Sequence, residues 1–344
     1  MTSSRSFPRR ALSSAKQWAT LMHGLWRYAR TGATPDRAYQ SMIQLFCSTR
    51  GWSNDFLHSL VALVRRPYKL PHANGVLGDL SAADLGRISG TLREQGYYVF
   101  PKLLPAAQCD RLLEFALTAP SQPGVVAGRK LAPSVYDRRR PLSPKHKFAE
   151  EQLLAHQNVQ AILADLSVLA VAQSYLGSQP VLDQVAMWWS TAFQKEACSE
   201  SAQLFHFDMD RIKWLKFFIY LTDVTPRSGP HCFVPGSHKR NGQPRDLLQR
   251  GYARIADEEI ARHYPDFVEF TGPRGTIIAE DTRGFHKGKN LEEGDRLVLE
   301  FEFCDCLFGG AFERPPLPAN RIPAVEQLAR THPRILSKYS ARVA

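Results

Sequence analysis

The sequence predicts a mainly β protein with flanking helices, and three observations support this fold class. Helix-like periodicity dominates the first half of the chain up to Gly177. From residue 180 to about 304, β-branched and aromatic runs alternate with Gly and Pro turns. The sequence contains no internal repeat and no G-x-G-x-x-G or Walker-type loop. Helices followed by many strands favour a helix-flanked antiparallel sandwich or barrel over an alternating βαβ fold.

The first 75 residues are basic and show helical periodicity. They hold 11 Lys and Arg against two acids, so they carry +9 of the net charge of +11 and leave +2 on the remainder. A stripe of apolar residues on one helix face runs through this segment. Its members are Trp18, Leu21, Met22, Leu25 and Trp26.

Three interpretations of this basic helix stay open. It packs its apolar stripe on the body of the protein, or it lies on an anionic membrane surface. Alternatively, its Arg- and Ser-rich, acid-poor composition belongs to a mitochondrial presequence.

Two further helical stretches are predicted over residues 36–66. The turn at 51–54 separates them, with Ser53 or Asn54 as a candidate N-cap. A linker rich in turn residues follows, and we expect a domain boundary within 67–78. The predicted organisation is a basic helical segment over 1–75, a main domain over 76–310 and a C-terminal extension over 311–344.

The start of the main domain shows clear helix signals. Ser81 followed by Asp84 predicts a capping box, and Gly96 predicts the end of that helix. Apolar and turn patterns predict the remaining elements. They are a strand at 97–100, a helix at 104–117, a polar Pro- and Arg-rich loop at 119–147, a helical stretch at 150–176, and strands at 181–193, 215–224, 232–234, 268–270, 276–279 and 297–303.

Composition excludes several classes of protein. No apolar run approaches the roughly 18 residues that span a bilayer. The six Cys form no C-x-x-C pair, which argues against a zinc ribbon or a thioredoxin-type site. We see no signal peptide and expect a cytoplasmic protein with free thiols. We expect no nucleic-acid partner, because the near-neutral main domain has no basic stripe.

A short His-x-Asp motif points to metal chemistry. His206 and Asp208 are two residues apart, so on a strand their side chains point to the same side. A third ligand should come from a later strand. The leading candidate is His286, because it follows the apolar run 276–279. The other candidates are His231, His238 and His263. Two imidazoles and one carboxylate form the ligand set of non-haem Fe(II) oxygenases. Arg296 would then pair with the distal carboxylate of a bound 2-oxo acid.

Several stretches resemble the phytanoyl-CoA dioxygenase (PhyH) family. The resemblance covers about residues 80–305 and leaves the first 75 outside. It implies a double-stranded β-helix, a jelly-roll or cupin-like fold, and a dioxygenase dependent on Fe(II) and 2-oxoglutarate. It also implies O2 consumption and release of succinate and CO2, coupled to hydroxylation. The matching stretches are Gln203–Asp210, KFFIYLTDV at 216–224, SGPHCFVPGSH at 228–238 and GFHKG at 284–288.

The resemblance also assigns roles to individual residues. It puts iron on His206, Asp208 and His286, and 2-oxoglutarate on Arg296. Lys216, which shares a strand face with Phe218 and Tyr220, and Gln184 on the preceding strand are further candidates for cofactor binding.

Two positions refine the expected activity. Many family members carry Ser or Thr two residues after the distal His to hydrogen-bond the cofactor carboxylate, but this chain has Gly288. Another donor must replace that hydroxyl, or 2-oxoglutarate binds more weakly. Related halogenases leave the carboxylate position vacant for halide, so Asp208 favours hydroxylation. We expect His238 to be structural, since it belongs to a Pro-Gly-Ser-His turn.

The substrate is less well defined by the sequence. We expect a small-molecule, lipid or glycan-type substrate, with a peripheral membrane contact through residues 1–66. Arg138–Arg140 would either grip an anionic substrate or lie in a solvated loop. The alternative function is a catalytically inactive jelly-roll module that docks to a membrane or an anionic polymer through its basic N-terminus.

Overall fold

The computed structural model describes residues 7–197, 201–251 and 253–340, with side chains described from residue 14 onward. The helices in these ranges are α1 (Phe7–Thr31), α2 (Asp36–Thr49), α3 (Trp52–Val64), α4 (Ala82–Gln95), α5 (Ala106–Thr118), α6 (Glu150–Ala155), α7 (Gln157–Leu163), α8 (Leu166–Leu176), α9 (Arg245–Leu248), α10 (Asp257–Ala261), α11 (Pro323–Thr331) and a 3₁₀ turn at Ser337–Tyr339. The strands are β1 (Ala73–Gly75), β2 (Gly78–Leu80), β3 (Tyr97–Val99), β4 (Pro120–Pro123), β5 (Ser134–Val135), β6 (Lys145–Lys147), β7 (Val181–Thr191), β8 (Trp214–Tyr220), β9 (His231–Phe233), β10 (Val268–Phe270), β11 (Ile277–Glu280), β12 (His286–Gly288) and β13 (Asp295–Cys304).

Two antiparallel sheets form the centre of the protein. The larger has the order β3-β11-β8-β13-β7-β6-β4-β5, and the smaller has the order β10-β9-β12. A backbone bridge between His206 and His286 joins the segment before β8 to the smaller sheet. From β7 onward the chain therefore passes back and forth between the two sheets. This alternation is the topology of a double-stranded β-helix, and it confirms the predicted jelly roll.

The outer face of the larger sheet is covered by helices. Leu215, Phe217 and Ile219 of β8 share a buried core with residues of α4, α5 and α8. The alternate residues of β8, including Lys216 and Phe218, point to the space between the sheets, as the two-residue period requires. One face of the strand therefore supplies the core, and the other supplies the site.

Strand β13 follows the same alternation at the middle of the larger sheet. It is hydrogen-bonded to β7 on one side and to β8 on the other. Leu297, Leu299, Phe301 and Phe303 enter the helix-side core. Arg296 and Glu300, with opposite orientation, line the inner cavity.

The N-terminal helices pack on the jelly roll, but only part of the predicted apolar stripe of α1 is buried. Leu21 of α1 and Met42 of α2 are buried in one cluster with Trp214 of β8. Met22 and Trp26 of the same stripe are 46% and 52% exposed. The helix therefore contacts the body along one edge and leaves large apolar side chains at the surface.

The start of α3 corrects one prediction. Neither Ser53 nor Asn54 caps this helix. It begins after Gly51, whose φ of 89° lies in the left-handed region that glycine adopts readily. Asn54 lies inside the helix and donates to the backbone oxygen of Ile212 at 3.0 Å. The capping box of Ser81 and Asp84 and the stop at Gly96 are confirmed.

The predicted loop 119–147 is also corrected. It contains β4, β5 and β6, which extend the larger sheet beyond β7. Apart from Val135, these short strands contain no β-branched residue. Pairing with an existing sheet edge therefore decides their conformation more than local propensity does.

The helical stretch predicted over 150–176 consists of α6, α7 and α8, and it ends at Gly177 as expected. Among the described helices, none by itself has the length and apolarity to cross a bilayer. The bent pair of α7 and α8 meets that test jointly by length and composition. Nine of the eleven residues of α8 are buried in the fold, as expected for a core helix.

Candidate metal centre

His206 and His286 lie directly opposite each other on neighbouring segments. The N–H of each donates to the carbonyl oxygen of the other, at 3.0 and 2.9 Å. Asp208 follows two residues later and is held by a hydrogen bond from its N–H to the oxygen of Thr282 at 2.8 Å. Backbone pairing therefore brings together three side chains that the sequence places up to 80 residues apart.

The three side chains present ligand atoms to one point. One atom from each of His206, Asp208 and His286 lies within 4.8 Å of the others. Nδ1 of His206 is 3.0 Å from the oxygen of Leu204, and Nδ1 of His286 is 3.0 Å from the oxygen of Gly284. Because a carbonyl oxygen only accepts, each Nδ1 carries the proton and each Nε2 is left with a lone pair for a metal.

The protonation states of these groups also suit metal binding. Burial, followed by the neighbouring His286, holds the pKa of His206 well below its usual value. Burial lowers the pKa of His286 to about 4. For Asp208, burial opposes ionisation, but Lys216 and the two imidazoles outweigh it and lower the pKa. At neutral pH the site therefore offers two neutral imidazoles and one carboxylate, which fit Fe(II).

Lys216 faces the site, and its Nζ lies 2.9 Å from Oδ2 of Asp208. Glu300 and Glu302 are further from this ammonium, at 3.7 and 3.4 Å. Burial alone would lower the pKa of Lys216, but these carboxylates hold it well above its ordinary value. The lysine predicted to bind the cofactor is therefore in direct contact with a metal ligand.

Arg296 lines the same cavity of about 200 Å³ as the three ligands. Its Nη1 donates to the oxygen of Gly229, and its Nη2 is 3.4 Å from Oγ of Ser190. Its Nε is buried without a hydrogen-bond partner. An unpartnered guanidinium N–H in a cavity next to a metal site fits a carboxylate ligand, as 2-oxoglutarate would supply.

Gly288 also lines this cavity, next to Arg296. A Cβ atom at position 288 would lie 3.1 Å from Nη2 of Arg296, so the guanidinium lies in the space that a longer side chain would take. Gln184 lines the cavity too, but its Oε1 accepts a hydrogen bond from Arg314 at 2.9 Å.

Other candidates lie away from the metal ligands. Nε2 of His238 is 3.1 Å from the oxygen of Arg93, which agrees with the structural role predicted for this turn residue. His263 pairs with Asp246 outside the cavity.

Arg138 lies in an exposed turn, and its half-exposed side chain is held by an ion pair. Its guanidinium binds both carboxylate oxygens of Asp295, at 2.8 and 2.7 Å, which ties the β5–β6 connection to the start of β13. Arg139 and Arg140 beside it are exposed.

The sequence analysis missed several side chains that line the cavity. Lys145 enters from β6, where the sequence predicted a loop, and its Nζ lies 4.3 Å from the centre of the Trp188 ring. Glu300 enters from β13. His231 lines the cavity as well, although the sequence analysis weighed it only as a third metal ligand. The alternation of β13 after Arg296 was the signal that would have found Glu300.

The phytanoyl-CoA dioxygenase (PhyH) family model matches residues 92–296, which contain all three candidate iron ligands and Arg296. No curated protein matches the chain.

Three solved structures are among those similar to this chain. The non-haem α-ketoglutarate-dependent epimerase SnoN of nogalamycin biosynthesis is 20% identical, with a TM-score of 0.45, over 65% of this chain and 84% of that chain. HygX from Streptomyces hygroscopicus, solved with nickel, 2-oxoglutarate and hygromycin B, is 18% identical, with a TM-score of 0.43, over 68% and 88%. EctD from S. alaskensis is 20% identical, with a TM-score of 0.44, over 75% and 91%.

The family match spans more than half of the chain and includes the metal-ligand set. The chain belongs to the phytanoyl-CoA dioxygenase family of iron- and 2-oxoglutarate-dependent oxygenases.

Proposed function

We propose that this enzyme hydroxylates an unactivated C–H bond of a small-molecule, lipid or glycan-type substrate and releases succinate and CO2. The observation that carries the proposal is the complete ligand set in one cavity with Arg296. A carboxylate at the Asp208 position takes the site that a halide would need. Bound Fe(II) and 2-oxoglutarate would activate O2 for oxidation of the substrate.

The residues of this chain would hold and orient these groups. Iron would be bound by His206, Asp208 and His286. Lys216 would donate a hydrogen bond to one carboxylate oxygen of Asp208. The guanidinium of Arg296 would bind the distal carboxylate of 2-oxoglutarate. The burial of both histidines limits access of bulk water to the reacting atoms.

An adjacent cleft of about 540 Å³ is our candidate for the substrate site. It shares Lys145, Lys147 and Ser201 with the metal cavity, and Val125 and Val126 contribute apolar wall. Among the described residues, no ion pair joins Lys145 or Lys147 to a carboxylate. We infer that the substrate carries an anionic group that meets these ammonium groups while its apolar part lies along the cleft.

A panel of organic carboxylates, phosphates, neutral sugars and amines would test this inference through substrate-stimulated release of succinate. We expect an anionic compound to stimulate succinate release. Lys147→Glu should raise the half-saturating concentration of that compound about 10-fold or more. Lys130→Glu, at an exposed position outside the cleft, is the matched control. Stimulation by neutral or cationic compounds alone would reject an anionic substrate.

The main test of the proposed function is an anaerobic titration of the protein with Fe(II) and then 2-oxoglutarate. The visible charge-transfer band of the chelate reports binding. We expect the band in the wild type, its loss in His206→Ala and a much weaker 2-oxoglutarate affinity in Arg296→Ala. A wild type without the band, and without affinity for 2-oxoglutarate, would instead favour the catalytically inactive binding module.

A peripheral membrane contact is the second part of the proposal. Leu63 and Val64 at the end of α3 are 68% and 75% exposed, and Trp26 of α1 is 52% exposed. An apolar groove of about 590 Å³ runs between these two helices. Arginines border this surface and complement the charge of anionic phospholipids. They are Arg27, Arg30, Arg65 and Arg66, all exposed.

Vesicle co-sedimentation would test the membrane contact. We expect binding to phosphatidylcholine vesicles that contain phosphatidylserine, no binding without it, and release by salt. The double variant Leu63→Gln/Val64→Gln should bind less. Leu142→Gln/Val135→Gln, a similarly exposed pair elsewhere, should bind like the wild type. Equal binding by all three proteins would reject this surface. The proposal locates the enzyme in the cytoplasm, at a membrane surface.

A further inference from the structure

The apolar groove between α1 and α3 is a site of its own, separate from the metal cavity. Its volume of about 590 Å³ lies within the range of small-molecule sites. None of the described residues lines both the groove and the metal cavity. Both helices precede residue 92, where the family match begins. The groove is therefore a feature of the N-terminal helices that the proposed oxidation does not use.

Each helix presents an apolar stripe to the groove. Spacings of three and four residues place the members of each stripe on one helix face. The stripes include Met22, Leu25 and Trp26 of α1 and Leu57, Leu60 and Val61 of α3. Ile212 and Cys306 of the jelly roll add to the lining. Such walls favour a hydrocarbon chain, because burial of its methylenes removes apolar surface from water.

An aromatic cluster joins the two helices next to the first residues of the groove. The ring centre of Trp18 in α1 lies 5.8 Å from that of Trp52 and 6.1 Å from that of Phe56 in α3. From this cluster the lining continues to the last residues of both helices, Gly32 and Val64. The helices therefore run side by side in the same direction, and the groove extends from the aromatic cluster toward their C-terminal ends.

Positive charge borders the C-terminal end of the groove. Arg65 directly follows α3, and Arg334 follows α11; both line the groove. The two segments are in contact, since the ring centres of Tyr68 and His332 are 4.6 Å apart. Nη2 of Arg334 donates to the backbone oxygen of Asp305 at 2.8 Å, but its Nε is buried without a hydrogen-bond partner. Among the described residues, no ion pair joins either arginine to a carboxylate.

We propose that the groove binds one anionic single-chain amphiphile, a fatty carboxylate, as a ligand distinct from the substrate. The hydrocarbon chain lies between α1 and α3, and the carboxylate pairs with Arg65 and Arg334. Burial of the chain supplies affinity, and the two guanidinium groups select the sign of the headgroup. The ligand is a dissolved molecule, so the inference requires neither a bilayer nor the oxidation reaction.

Isothermal titration calorimetry of the full chain with octanoate and decanoate tests the inference. Both are used below their critical micelle concentrations and without vesicles. We expect saturable binding of one molecule, and decanoate should bind about 10-fold more tightly because it buries two further methylenes. Decanol and decyltrimethylammonium should bind at least about 10-fold more weakly than decanoate, since neither offers an anion to the arginines.

Two pairs of variants separate the chain from the headgroup. Leu60→Gln should weaken decanoate and decanol alike, by about 5-fold or more. Leu63→Gln, on the same helix but outside the groove, should change neither. Arg65→Gln should weaken decanoate about 3-fold to 5-fold and leave decanol unaltered, as expected for an exposed charge. Arg66→Gln, at the exposed neighbour outside the lining, is its control.

Absence of saturable binding, or equal affinity for octanoate and decanoate, would overturn the inference. Equal affinity for decanoate and decyltrimethylammonium would overturn the anionic headgroup. Binding to phosphatidylserine vesicles without binding of decanoate would assign the groove to the membrane surface. A dimer in sedimentation equilibrium that Leu60→Gln dissociates would assign it to a second copy of the chain. The titration with Fe(II) and 2-oxoglutarate tests the proposed function separately, so its failure is distinguishable from all of these.

Discussion

Lys216 donates a hydrogen bond to Asp208, with its Nζ 2.9 Å from Oδ2. The ligand carboxylate therefore has one oxygen engaged by a buried ammonium, and Oδ1 is left toward His206, 3.9 Å from its Nε2. Such a contact orients a metal ligand and keeps it ionised.

Lys216→Met should weaken Fe(II) affinity by about 10-fold to 100-fold, the usual cost of removing a partner that supports a metal ligand. The physical reason is twofold, since Asp208 loses its fixed rotamer and its carboxyl becomes easier to protonate. Anaerobic titration with Fe(II) or Co(II) measures the change. Lys213→Met removes a half-buried lysine that lies over the ring of Tyr175 instead, and it should leave metal affinity unaltered. Equal metal affinity in the Lys216 variant and the wild type would refute the orienting role.

Arg138→Ala should lower the free energy of unfolding by about 1–2 kcal/mol, a value discounted because the arginine is half exposed. Its partner Asp295 is 4% exposed at the side chain, so loss of the bidentate contact leaves a buried carboxylate with Tyr136 alone. Urea unfolding gives the difference. Arg139→Ala, at the exposed neighbour, should change stability by less than about 0.5 kcal/mol. If both variants were as stable as the wild type, Arg138 would be free for another role.

Gly24→Ala should destabilise the packing of α1 on α2. A Cβ built on Gly24 would overlap the Cβ of Ala38, so the helices would have to separate, at a cost of about 1–3 kcal/mol. Gly86→Ala in α4 is the matched control, because nothing lies within 4 Å of a Cβ there. That exposed helical position should gain up to about 1 kcal/mol. Thermal unfolding followed by circular dichroism compares the two, and a stabilised Gly24→Ala would contradict the close approach.

Stability should fall as the pH drops from about 6.5 to about 4. Burial lowers the pKa of His238 and of His146 to about 4. In the unfolded chain these imidazoles take up protons below about 6.5, so acid favours unfolding in this window, by up to about 3 kcal/mol for a fully buried histidine. Urea unfolding at pH 7 and 4.5 measures the loss.

His238→Asn should flatten this pH dependence, because one buried group no longer gains a proton on unfolding. His23→Asn, at an exposed position of α1, is the control and should leave the slope as in the wild type. A slope unaffected by His238→Asn would mean that other groups cause the acid sensitivity.

The parts of the site that lie on local patterns could be predicted from the sequence. His206 and Asp208, two residues apart, present their side chains to the same cavity. His286 begins β12, and Arg296 lies near the start of β13. The fold class could be predicted because helical periodicity ends at Gly177 and β-branched and aromatic runs follow it. These features depend on short-range periodicity and on a motif that the family shares.

The parts that depend on long-range pairing could not be predicted. The sequence of β6 carries no strand signal, and the strand forms by pairing with the second edge of β7. The sequence therefore predicted a loop at Lys145. The opposition of His231 and Gly288 depends on the register of two strands more than 50 residues apart. The start of α3 depends on the left-handed conformation of Gly51, which the residue type permits but does not require.

Because side chains alternate strictly along β13, the orientation of its cavity-lining residues depends on the packing of its apolar residues against the helices. A slip of one position along the neighbouring strands would turn Arg296 and Glu300 toward the helices and would expose Leu297 and Leu299 to the cavity. Both placements would destabilise the fold, because the first buries charged side chains without partners and the second exposes large aliphatic side chains to water in the cavity. Substitutions that improve the packing of these leucines against the helices therefore also stabilise the strand register that orients Arg296, although they do not contact a cofactor.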